Sequence, residues 1–391
     1  MPRKIAVITG TRADYGIYRP ILREISIRPE LSLAIIATGM HLVPEFGNTF
    51  QDIEADGYLI DARVEMLLRS DSRAAMIKSL GICLIGLTQA LEEIKPEIVL
   101  LLGDRGEMLA GAIAAAHLGM GVAHIHGGEL SGSVDDCIRH AITKFAHLYF
   151  PATKEAAGIL LASGENSRRI FVSGTPGMDD LAEGFKITRS ELELSLGFGL
   201  EKSFLLVIYH PVVGEELQSQ AEFTMVLKTL AGLNIQSVLF LPNSDAGREL
   251  LIRALEEAPE NPRLYQVSHL PRRLYLGTMA QAKLMIGNSS SGLIEAPGFG
   301  LPVINIGNRQ RGRLRAGNVV DIGFENLNQL DIIIRKYLAE EKERIPQSGN
   351  PYKCGASKLI AEKLATVAID KDFLTKDFSF SSQPFNECEN K

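Results

Sequence analysis

Cysteine is sparse and scattered: Cys83, Cys137, Cys354 and Cys388 are the four in 391 residues. None forms a CxxC pair, so neither that metal pattern nor a dense disulfide framework is supported, and reduced thiols in a cytosol are expected. Positive charge is not in excess either. The formal net charge is -6 and the pI is near 5.8, which argues against nucleic acid or an anionic membrane as partner. Long apolar runs are missing. The run opening at Ile5-Ala6-Val7-Ile8 is too short for a signal-peptide core. The one at Ile98–Leu102 stops at Gly103-Asp104-Arg105, so no membrane-spanning stretch is expected. A soluble, cytoplasmic protein follows.

What is present is ordinary globular material, 46% hydrophobic and 23% charged residues, in a chain longer than one core usually organises. Short aliphatic runs alternate with amphipathic segments, the pattern of parallel strands joined by crossover helices. Strands are expected at 5–9, 33–37, 98–102, 122–125 and 170–172, and again at 204–209, 237–241, 284–286 and 302–306. In the second series helices are expected at 215–230, 245–257 and 291–299. The reading is α/β, with two doubly wound domains in tandem: residues 1–180, residues 181–370 with a last helix at 352–368, and a tail, 371–391, whose end is expected to be loosely ordered. The cleft between them is the expected ligand site.

Several strand ends carry candidate chemistry. Gly10-Thr11-Arg12-Ala13-Asp14-Tyr15-Gly16 opens a helix, so backbone amides and Arg12 suit an anion, although a plain helix cap reads equally well. The spacing is neither GxGxxG nor GxxxxGK[ST], so no dinucleotide fingerprint or P-loop is supported. Asp104, after a strong strand, is either a helix cap or a base. His124-Ile125-His126 and then Asp135-Asp136 to Arg139 bring titratable groups to one wall. Alternation along a strand would point both histidines the same way, yet a third metal ligand at a recognisable spacing is lacking. His210 and Asn243 end strands of the second series. In Gly287-Asn288-Ser289-Ser290-Ser291, a small-residue turn admits a pyrophosphate, and Glu295 is placed to accept ribose hydroxyls or, alternatively, to complete a capping box. Arg309, Arg311, Arg313 and Arg315 crowd the next loop.

Taken together, GTRADYG, GDRGEMLAG, HIHGGELSGSVDDCIRHAITK, YHP, LPNSD, GNSSSGLIEAPGFGLPVIN and NRQRGR resemble the hydrolysing UDP-N-acetylglucosamine 2-epimerases over residues 4–368. The resemblance implies a GT-B fold with two Rossmann-like domains, a homodimer and a nucleotide-sugar substrate. It implies nucleotide contacts from Arg12, Arg105, Ser289, Ser290, Glu295 and Arg309, and catalytic or sugar-ring roles for Asp104, Asp135, Arg139, His210 and Asn243. His126 joins the catalytic set and Asp14 the substrate-binding set. His126 also marks a departure, because other branches of the family carry Glu there, and the ordinary pKa values of the two side chains differ by about two units.

The implied chemistry is elimination of UDP across C1–C2 to a glycal, then addition of water with protonation of C2 from the opposite face. UDP-N-acetylglucosamine would yield N-acetylmannosamine; the alternative substrate is a UDP- or GDP-linked 2,4-diacetamido-2,4,6-trideoxyglucose, as in legionaminic-acid synthesis. No hydride moves, so no nicotinamide is implied, and arginines with a helix end replace a metal, so no cofactor is expected. Two other readings share the scaffold: a GT-B glycosyltransferase, and a non-catalytic nucleotide-sugar sensor.

Overall fold

A computed structural model describes residues 1–70, 72–132, 134–340, 346 and 348–376. The first sheet contains β1 (Arg3–Thr9), β2 (Leu31–Thr38), β3 (Ala62–Val64), β4 (Ile98–Leu102), β5 (Gly121–Ile125) and β6 (Leu148–Phe150), in the order β3-β2-β1-β4-β5-β6. The second contains β7 (Leu205–Ile208), β8 (Ser237–Phe240), β9 (Leu264–Val267), β10 (Leu284–Gly287), β11 (Val303–Ile306) and β12 (Val319–Ile322), in the order β12-β11-β10-β7-β8-β9. All these pairings are parallel. Each sheet therefore reverses its winding once, between β1 and β4 and between β7 and β10. Those are the points where open α/β sheets bind ligands. This is the expected GT-B pair of doubly wound halves.

Helices cover both faces, so the central strands are buried on both sides and read as unbroken apolar runs. In β1, Ile5 and Val7 join Tyr18, Ile21 and Leu100 on one face, while Ala6 and Ile8 join Val99, Leu101 and Met108 on the other. Leu205 and Val207 against Leu206 and Ile208 repeat this in β7. The four strands missing from the sequence expectation, β3, β6, β9 and β12, are the four sheet edges. Three of these edges bury less: β3, β9 and β12 each contain one buried residue and lack the apolar signature, whereas β6 is buried throughout but only three residues long. The expected strand at 170–172 is reduced to one bridge, Ile170 to Tyr149, beside β6.

Two further expectations are corrected. The helix Arg73–Ile94 is long and apolar enough to cross a membrane by length and composition; scattered Arg, Lys, Ser and Gln disguise it in the linear sequence. Here it flanks the first sheet with Cys83, Leu87 and Leu91 buried and Ile77 and Ile85 exposed. The last long helix, Ala356–Thr366, packs into the first half through Ala356, Ile360, Ala361 and Leu364. Arg3 donates to the carbonyls of Leu364 and Ala365 at 2.5 and 3.1 Å. Beyond it Phe373 is buried, and Arg169 donates to the carbonyls of Asp372, Phe373 and Thr375. We therefore propose residues 1–180 with 351–376 as one unit and 181–350 as the other. The expectation for the end of the tail falls on residues 377–391, outside the described residues.

Candidate active site

A cavity of about 310 Å³ lies between the halves, at the carboxyl ends of β1, β4, β7 and β10. Arg12, Asp14, Asp104, Arg105, His126, Arg139, His210, Asn243, Ser289, Ser290, Glu295 and Arg309 all line it. Asp135 does not belong to that lining.

At the end of β1, Thr11 caps the helix Arg12–Ser26 in a capping box with Asp14. The Asp14 carboxylate accepts from Thr9 Oγ1 at 2.5 Å and from the Gly10 and Thr11 N–H groups at 3.1 Å. Burial raises its pKa to about 6, against the lowering effect of Thr9. Asp14 thus lines the cavity with its oxygens engaged in shaping the turn. Arg12 leaves the turn and crosses the cleft, donating to Ser268 O at 3.3 Å and to His269 Nδ1 at 2.6 Å. His269 Nε2 in turn lies 3.1 Å from Asp52.

Asp104 follows β4, after Gly103 at φ +75°, and pairs with Arg139, which is 1% exposed. The helix-cap alternative fails, since Arg105 is the N-cap of Gly106–His117 and makes no side-chain cap bond. Burial works to raise the Asp104 pKa, but Arg139, then Arg313, Arg309 and Arg105, hold it below its ordinary value. The carboxylate is ionised at neutral pH. Arg139 Nη1 also donates to His126 O at 3.1 Å.

The two histidines do not face the same way as a strand would present them. His126 sits just past β5 at φ +63°, a conformation uncommon for residues other than Gly, and strand alternation ends there. His124 turns under the Asp104 turn, with Nε2 donating to Gly103 O at 2.7 Å and Nδ1 3.2 Å from Thr143 Oγ1. His126 Nε2 meets Thr175 Oγ1 at 2.8 Å. Among the described residues no three His, Cys, Asp or Glu side chains gather as a metal requires. Asp135 is the first residue of the helix Asp135–Phe145, partly buried, one turn before Arg139. Asp136 pins the preceding loop, accepting from Ser131 and Gly132.

The second half offers a different wall. Asn288 ties the ends of β7 and β10, accepting from His210 N–H and donating to His210 O, both at 2.8 Å. Asn243 N–H donates to His210 Nδ1 at 3.3 Å. Burial, then Arg309, Arg105 and Arg12, lower His210 to about 3, so the ring is neutral. The helix expected at 291–299 is one α-turn, Ser291–Ile294, and a 3-10 turn, Ala296–Phe299, with Pro297 breaking it. Ser290 makes no side-chain cap bond, so Glu295 does not complete a capping box. It pairs instead with Arg272 at 2.7 Å, and Arg272 also donates to Gly177 O at 3.0 Å. Arg105 pairs with Glu107 at 2.9 Å and lies 3.7 Å from Asp245, which accepts from Asn243.

The basic loop divides. Arg309 donates to Asn288 O at 3.2 Å, Arg313 pairs with Glu129 of the first half, Arg315 takes Asp321, and Arg311 is exposed. Sequence reasoning missed Thr175, Arg272 and Tyr275, which line the cavity, and Glu129, which holds Arg313 there. Each acts on a partner far away in the chain, as in Thr175 with His126 or Tyr275 with Ser291. No local spacing announces such pairs.

Comparison with known proteins accords with this arrangement. The chain is 42% identical over 322 residues to the UDP-N,N'-diacetylbacillosamine 2-epimerase (hydrolyzing) of Legionella pneumophila, covering 82% of this chain and 85% of that one. It is 37% identical over 333 residues to the GDP/UDP-N,N'-diacetylbacillosamine 2-epimerase (hydrolyzing) of Campylobacter jejuni, covering 84% and 86%. The crystal structure of UDP-GlcNAc 2-epimerase from Neisseria meningitidis bound to UDP-GlcNAc shares the fold, with a TM-score of 0.75 at 21% identity over 92% of this chain and 99% of that one. With residues 23–365 matching the family described as UDP-N-acetylglucosamine 2-epimerase, the chain belongs to the UDP-N-acetylglucosamine 2-epimerase family.

Proposed function

We propose that the protein is a hydrolysing nucleotide-sugar 2-epimerase acting on a UDP-linked 2-acetamido sugar, with the 2,4-diacetamido-2,4,6-trideoxy sugar preferred over N-acetylglucosamine. One observation carries the reaction: an ionised carboxylate, Asp104, faces a hydroxyl-rich, arginine-flanked turn across a single cavity. The sugar preference is supported by the two diacetylbacillosamine 2-epimerases at 42% and 37% identity.

In this reading Glu295, held by Arg272, accepts the ribose hydroxyls. Ser289, Ser290, Arg12 and Arg309 hold the diphosphate, with Arg105 and Asn243 beside it. His210, neutral with Nδ1 occupied, donates through Nε2–H to an oxygen of the departing UDP, where charge develops. Asp104, oriented by Arg139, removes the C2 proton. The C2–H electron pair becomes the C1=C2 bond, and the C1–O electrons leave with UDP. Water then adds to C1, and a proton reaches C2 from the opposite face. His126 and Asp135 are the two candidates for that return. We further propose a cytoplasmic homodimer; the exposed Ile77 and Ile85 on the outer face of Arg73–Ile94 supply an apolar surface for it.

Incubation with UDP- and GDP-linked sugars in heavy water tests the scheme. Free UDP should appear without any acceptor, and the released sugar should carry deuterium at C2. Full retention of hydrogen at C2 would sink the elimination mechanism. A higher kcat/KM with UDP-N-acetylglucosamine than with the diacetamido sugar would reverse the substrate assignment alone.

A further inference from the structure

Two histidines line the cleft, and their neighbours bear on which ring nitrogen carries the proton. At His210 the partner is a backbone N–H, that of Asn243, so Nδ1 accepts and the neutral ring is protonated on Nε2. At His126 the partner is a hydroxyl, which is able to donate or accept. Burial decides. Thr175 is 1% exposed, and the partner of its Oγ1 among the described residues is His126 Nε2, at 2.8 Å. A buried hydroxyl proton aimed at no acceptor is costly, which favours donation from Thr175 to Nε2. The proton of the neutral ring then sits on Nδ1, which has no partner among the described residues although the ring lines the cavity.

We propose that Thr175 is a positioning residue that locks His126 in the Nδ1–H tautomer, and that His126 serves as a neutral hydrogen-bond donor to an oxygen of the sugar instead of carrying a proton. The proposal rests on the active-site reading above and sharpens it. A neutral imidazole already donating through Nδ1–H would become an anion on losing that proton, so it cannot deliver one cheaply. A second ring proton is opposed as well. Burial comes first, and Arg313 and Arg139 add to it, against the opposite pull of Glu129 and Asp104; the His126 pKa is lowered on balance. The mount is rigid, since His126 N–H donates to Phe150 O at 3.0 Å while Arg139 holds the His126 carbonyl at φ +63°. Left-handed backbone of this kind persists where the surroundings over-determine it.

The position of Thr175 gives the lock a second consequence. It lies in the segment 174–177, close to where the first unit gives way to the second, and there its N–H donates to Lys353 O at 2.9 Å and, two residues on, Gly177 O accepts from the arginine that holds Glu295. The His126 mount and the arginine that holds Glu295 therefore meet on one short segment.

Nitrogen-15 resonance of the histidine-labelled protein tests the tautomer directly: Nε2 of His126 should appear in the unprotonated range and Nδ1 in the protonated range. Thr175→Val should mix the tautomers and lower kcat by about tenfold or more with UDP affinity unchanged, and Thr175→Ser should restore both. His126→Asn keeps an N–H near the Nδ1 position and tolerates positive φ, so it should retain at least about tenfold more turnover than His126→Ala. A protonated Nε2 in the wild-type spectrum overturns the proposal, as does an Asn variant as inactive as the Ala variant while still binding UDP. Full turnover in His126→Ala would instead remove the ring from the site and overturn the active-site reading with it.

Discussion

At the first switch point the cleft is lined by charge, Asp104 paired with Arg139, and Arg313 held by Glu129 behind it; at the second it is lined by the hydroxyls of Ser289 and Ser290 and by Glu295 held by Arg272, with the Asn288 amide behind them. The two sheets have the same strand order when each is counted from its own first strand, so the contrast resides in the loops. Identical topology supplies two equivalent crevices, and loop chemistry assigns them different work. Paired, buried charges set proton affinity. Fixed neutral donors receive an oxyanion without reorganising.

The most damaging change to this division should be Asp104→Asn, which preserves shape and removes proton acceptance. Turnover should fall by about 10²–10⁴-fold, with UDP affinity by calorimetry within about twofold of the parent. A parallel loss of UDP binding would mean that the first wall also holds the nucleotide. Glu295→Gln comes next in size and acts oppositely: UDP affinity should fall by about 1.5–3 kcal/mol, while deuterium incorporation at C2 stays complete. Partial incorporation would show the second wall reaching into the proton transfers.

A third expected effect, on the fold and not on the reaction, is on stability in acid. Burial, the leading cause in each, lowers His41 to about 4 and His124 to about 3 in the first half and His210 to about 3 in the second, from 6.5. These folded values lie below the unfolded one, so the unfolded chain takes up protons first as pH falls through 6.5. Stability is full above that pH and declines towards pH 4, by about 1.4 kcal/mol per unit for each histidine. Asp14, raised to about 6 from 3.8, has the opposite sign between those values and offsets about one histidine in the first half. Urea unfolding at pH 7, 6 and 5 reads the net slope. Equal midpoints across that range would mean that these rings do not stay neutral on burial.

How much of this was legible in the sequence follows burial. The central strands announced themselves because helices cover both of their faces, whereas β3, β9 and β12 are edges with mixed exposure and passed unnoticed. Strand-end polar residues were legible for the complementary reason: at a buried strand's end, Asp104, His210 and Ser289 have little structural cause to be there. Asp135 was read with them from its neighbours in sequence and lies outside the cavity lining. The HxH spacing misled because alternation assumes extended backbone, which His126 abandons. Thr175, Arg272 and Glu129 were illegible since their meaning comes from His126, Glu295 and Arg313, placed beside them only by the fold.

The return of residues 356–373 to the first half has a bearing on how the chain is made. Ile360, Leu364 and Phe373 fill part of the core beneath β1 and β4, so the half synthesised first stays incomplete until those residues leave the ribosome. Residues 181–350 contain both apolar faces of their own sheet and are able to fold while the chain is still growing. Birth order and folding order are therefore expected to run in opposite directions, with the wall built on β7 and β10 standing before the wall built on β1 and β4 is closed.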